Sequence, residues 1–246
     1  MDNTDLEMLV GAAQSSVSGA VIEASPQLRQ AVIEDRQSKL KEAVAADRAS
    51  MLILRSISSI GGKELPDLGE EFADTSAKSS EQPYLNWIRF ARLLQAELVD
   101  ISGNRVACTI AGQKLGTSSK FPTLSDVAGE PFSEIKLAAL EDHQRKLEED
   151  VAKDPLAMFL LGSVAKIGGI KLPQFSDAII RDSAWDNQPP YQNWVRVSRL
   201  MQAGFIDVSE DRVACTLAGQ KLGNRYIVLR EAAIERNRTI QEKPQV

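Results

Sequence analysis

One block of this chain occurs twice, with no insertion or deletion between the copies. Pro83–Gly116 reads PYLNWIRFARLLQAELVDISGNRVACTIAGQKLG, and Pro190–Gly223 reads PYQNWVRVSRLMQAGFIDVSEDRVACTLAGQKLG. Trp194 stands 107 residues after Trp87, a spacing that fits a small domain used twice and is too long for a solenoid repeat. The 246 residues hold two such domains, and a hydrophobic content of 43% gives each a modest core. The expected division is a flexible segment over 1–24, a helix and domain over 25–117, and a linker over 118–131. A second helix and domain follow over 132–224, then a C-terminal helix and tail over 225–246.

Ser25-Pro26 and Asp154-Pro155 each place a capping side chain before a proline suited to the first helical position. Leu28, Val32, Leu40 and Val44 form a narrow apolar seam, predicting a long helix over Pro26–Ala46, with its counterpart over Ser133–Lys153. Helices over Met51–Ile60 and Leu156–Ile167 follow, each ending in a glycine pair suited to a left-handed cap. Leu65-Pro66 and Leu172-Pro173 read as short extended pieces, before weaker helices over Leu68–Asp74 and Phe175–Asp182. The best-defined helix is Tyr84–Leu98, repeated at Tyr191–Phe205. On a helical wheel Tyr84, Trp87, Ile88, Ala91, Leu94 and Leu98 share one side, with Leu85, Arg89, Arg92 and Ala96 opposite. A period of two then predicts a hairpin turning at Ser102-Gly103-Asn104, with Val106, Cys108 and Ile110 inward and Arg105, Ala107 and Thr109 outward.

Several function classes are excluded or disfavoured. The chain lacks a phosphate loop, a nucleophile elbow and metal-ligand spacing, so a non-enzymatic protein without cofactor or metal is expected. Cys108 and Cys215 occupy equivalent repeat positions, which duplication explains without a disulfide. The lone histidine, His143, sits among charged helical residues and reads as solvated. Apolar runs are too short to span a bilayer, and the acidic N-terminus is unlike a secretory signal, so a cytoplasmic protein without membrane contact is expected. A net charge of −5 argues against indiscriminate nucleic-acid binding, although both repeated blocks are mildly basic.

The order helix, short strand, helix, helix, hairpin, together with LMQAGFIDVSEDRVACTLAGQKLG from Leu200, resembles the winged helix-turn-helix superfamily. The resemblance covers about 70 residues of each repeat. It implies a mainly α fold with small β-hairpins (α+β), as two tandem winged-helix domains joined by long helices. It also implies third helices at Tyr84–Leu98 and Tyr191–Phe205 that enter a DNA major groove, with wings at Gly103–Arg105 and at residues 210–212. The first copy departs from the pattern with Glu97 where the second has Gly204, and the second wing tip is acidic. Tandem winged helices also bind protein partners, as in condensin-like complexes.

About 22 of 34 positions agree between the copies from Pro83, against about 10 of 32 from Met51 to Gln82, so an added constraint acts on the third helix and wing. Double-stranded DNA is the favoured partner, for a regulator of transcription or DNA maintenance; a protein partner is the alternative. The candidate nucleic-acid-binding residues are Asn86, Arg89, Arg92, Arg105 and Lys114, and Asn193, Arg196, Arg199, Arg212 and Lys221 in the second copy. The arginines suit phosphates or guanine edges, and the asparagines suit either an adenine edge or backbone. A homodimer through Pro26–Ala46, Ser133–Lys153 or Arg225–Gln241 is a further expectation.

Overall fold

The computed structural model describes residues 26–79, 81–117, 134–185, 187–209 and 211–241. The expected flexible segment, Ser25, the whole linker, Glu210 and the final tail lie outside the described residues. The first unit runs α1 (Pro26–Ala46), α2 (Arg48–Ser59), β1 (Lys63–Glu64), α3 (Leu65–Ser79), α4 (Pro83–Gln95), β2 (Val99–Ser102), β3 (Arg105–Cys108) and α5 (Ile110–Thr117). The second repeats that order as α6 (Glu134–Lys153), α7 (Pro155–Ile167), β4 (Ile170–Lys171), α8 (Leu172–Trp185), α9 (Pro190–Gln202), β5 (Ile206–Ser209), β6 (Arg212–Cys215) and α10 (Leu217–Gln241). Each unit is mainly helical with a small antiparallel sheet, ordered β1-β3-β2 in one and β4-β6-β5 in the other.

Local chemistry sets the element ends. Asp47 and Asp154 cap α2 and α7, accepting from Ala49 N and from Leu156 N and Ala157 N. The glycine pairs after these helices sit at positive φ, 66° and 118° at Gly61-Gly62 and 74° and 117° at Gly168-Gly169. Leu65-Pro66 and Leu172-Pro173 are not extended: they open α3 and α8, where proline needs no amide donor, and two-residue strands precede them. The third helices end three residues earlier than expected, because Glu97 and Gly204 turn left-handed, at φ 57° and 71°.

The return strand also stops early, and Ile110 does not face the core. Thr109 accepts from Gly112 N through its hydroxyl at 3.1 Å, starting α5 and rotating Ile110 out to 78% exposure. Thr109 donates the same hydroxyl to Glu97 O, and Thr216 to Gly204 O, both at 2.7 Å. A Cβ on Gly112 or Gly219 would overlap the carbonyl of Leu98 or Phe205, so the Thr-x-x-Gly pattern locks each following helix against the end of the third.

No break separates 224 from 225; α10 is one helix of 25 residues. It runs antiparallel along α7, with Gln220 Nε2 donating to Ala165 O and the Arg230 guanidinium over the Phe159 ring at 4.8 Å. In the first unit α5 is described over Ile110–Thr117, and Leu52, the counterpart of Phe159, is exposed. Buried side chains from both units, among them Phe90, Leu161, Ile179 and Leu200, belong to one contiguous core.

Candidate functional site

The two third helices, α4 and α9, pack against each other. Tyr84 stacks on Trp194 with ring centroids 6.5 Å apart, and Gln95 Nε2 donates to Met201 O at 2.8 Å. Tyr84, Ile88, Ala91 and Gln95 form one strip down α4, and the fully buried Ala91 mirrors the buried Ser198 of α9. Small side chains at that midpoint let the axes approach closely. A second side of α4, with Trp87, Phe90, Leu93 and Leu94, fills its own unit's core. Trp87 and Trp194 are packing residues, each 4% exposed and edge-on to Phe72 or Phe175.

The expectation that Arg89 and Arg196 project outward is corrected. Each arginine side chain is only 17% exposed and turns back onto the aspartate that caps α2 or α7. Arg89 Nε lies 3.4 Å from Asp47 and Arg196 Nε 3.0 Å from Asp154. Arg89 also donates to Glu81 at 2.7 Å, a bond that raises its pKa and lowers that of Glu81. Arg196 donates to Gln188, the counterpart of Glu81. Two half-buried charged groups meet here, and each finds its partner inside the chain.

Asn86 and Asn193 are likewise placed inward, both 4% exposed. Their side-chain amides donate to Ser76 and Ser183, and their carbonyls accept from Arg89 and Arg196 at 3.0 and 2.7 Å. An Asn-Arg-Asp chain thus ties the third helix to the first in both units. It accounts for the retention of these residues between copies without a ligand.

The remaining candidates lie at the surface. Arg92, Arg105, Lys114, Arg212 and Lys221 are exposed and Arg199 is half-buried. Arg105 reaches back to Gly61 O at 3.4 Å, near the limit of a hydrogen bond. Cys108 and Cys215 are free thiols donating weakly to Leu54 O and Leu161 O, and burial pushes Cys215 up to about 11. Val228, Leu229 and Ile234 of α10 are exposed apolar residues.

The covered face of α4 had a sequence signal. Ile88, Phe90, Ala91, Leu93 and Leu94 span more than half the helix circumference, which is more than one core can bury. Among the described residues no cluster of His, Cys, Asp or Glu is fit to hold a metal, and no helix is long and apolar enough to cross a membrane. No family profile, curated protein or solved structure matches the chain.

Proposed function

We propose that the chain is a non-enzymatic binding protein of two winged-helix units, working as a protein-interaction scaffold. The pairing of α4 with α9 carries this reading, because helices that read a major groove must stand free, whereas these face each other. Two arginines that would reach phosphates are engaged with capping aspartates. The net charge of −5 disfavours a polyanion, and α10 leaves the apolar side chains of Val228, Leu229 and Ile234 exposed where a protein surface could cover them.

A second reading keeps DNA as partner through the wings, favoured by the exposure of Arg105 and Arg212 together with Arg92, Lys114 and Lys221. One experiment separates them. Fluorescence anisotropy of a labelled random duplex with the full chain, at low and physiological salt, is expected to show no saturable binding. A partner co-purifying in fixed stoichiometry is expected to be lost on Val228→Lys with Leu229→Glu. Duplex binding with a salt slope of several phosphates, abolished by Arg105→Glu with Arg212→Glu, would establish the DNA reading instead.

A further inference from the structure

A cleft of about 930 Å³ opens beside the N-terminal ends of α4 and α9 and the faces of α3 and α8. Its sixteen lining residues form eight pairs at the repeat spacing, so the cleft lies across the pseudo-twofold relation between the units. Neither unit has this site alone. Tyr84, Tyr191, Trp87 and Trp194 supply aromatic walls, and five prolines complete much of the rest. The size is that of a cavity for a small organic molecule.

Charge selects the class of occupant. The only charged lining residues are Glu70 and Asp177, one from each unit, and no lysine or arginine joins them. Both carboxylates are exposed, and neither forms an ion pair among the described residues. Aromatic faces are negative at their centres and attract cations, whereas an anion entering here meets two carboxylates without a counter-charge. We propose that the cleft binds small organic cations with a flat aromatic body, held against the part-exposed tyrosine rings and paired with Glu70 and Asp177. This assignment does not depend on which macromolecule the chain meets.

Ethidium, a flat monocation, tests it with the full-length chain. Titration is expected to raise dye anisotropy to saturation and to quench tryptophan emission, with 8-anilinonaphthalene-1-sulfonate binding at least tenfold more weakly. Glu70→Gln with Asp177→Asn changes exposed side chains and is expected to leave the melting curve in place while weakening ethidium about tenfold. Ala73→Trp, placed on the cleft wall, is expected to abolish binding by occupying the space. Absence of ethidium binding, equal affinity in the charge-neutral variant, or preference for the anionic dye overturns the assignment. A proline-rich, arginine-bearing peptide binding the cleft more than tenfold tighter than ethidium overturns it too, and makes the site a peptide groove.

Discussion

Glu97 shows what one position of the repeat must do. The chain turns left-handed there, φ 57°, as it does at Gly204, φ 71°, so that the third helix can hand over to the hairpin. Glycine does this freely, while a side chain costs about 1 kcal/mol. Glu97→Gly is therefore expected to stabilise the protein by about 1 kcal/mol, a melting shift of about 2–4 °C measured by calorimetry. A separate electrostatic effect is expected in the pH profile. Burial raises the Glu97 carboxyl above 4.5, so the folded state holds its proton more tightly than the unfolded chain. Stability from this group is present below 4.5 and lost as pH rises through the raised value. Glu97→Gln is expected to flatten that fall in urea melts as pH rises above 4.5 while keeping the backbone cost, which Glu97→Gly removes as well. The thiols give a second residue-scale expectation. With Cys215 at about 11, roughly one molecule in a thousand is thiolate at pH 8, so iodoacetamide labelling followed by mass spectrometry is expected to be far slower than in urea.

Among the elements, the sequence pattern was most legible where periodicity and caps agree. The long helices, the glycine-ended α2 and α7, and the hairpin all fall close to their expected places. The wheel's apolar arc of α4 is too narrow, since Phe90, Leu93 and Ala96 are buried outside it, and its polar edge was misjudged because a wheel records where a side chain starts and not where a long arginine ends. Asp154 is 42 residues from Arg196, and nothing local announces that the two meet. Their bond makes the cap of α7 also an anchor for α9. Asp154→Ala removes a cap worth about 1 kcal/mol and strands a largely buried guanidinium, so a loss of about 2 kcal/mol is expected in urea unfolding. Arg196→Met leaves the cap and is expected to cost less. The double variant is expected to cost less than the sum, since each single change already breaks the shared bond. Gly219→Ala tests the next joint: its methyl would overlap the Phe205 carbonyl, and a loss of about 3 kcal/mol is expected in the same measurement.

At the scale of the whole molecule, duplication has produced something the single unit lacks, a seam in which like helices meet. The repeat made two structurally equivalent units legible, but it held no direct sign that their most similar surfaces would cover each other. Shared burial has a consequence for cooperativity. Because side chains from both units form one core, unfolding is expected to be a single transition. Ala91 is fully buried at the middle of the seam strip, so Ala91→Glu would drive a carboxylate into a space closed to water. The variant is expected to relieve that charge by parting α4 from α9, leaving each unit its own sheet and inner core. Guanidinium unfolding followed by tryptophan emission checks this, with Trp87→Phe, or Trp185→Phe together with Trp194→Phe, in the background assigning each signal to one unit. Two separated transitions are expected for Ala91→Glu and one for the parent. A single transition with an unchanged midpoint would mean that the seam is a passive contact, and the argument that it occupies the third helices would lose its energetic basis.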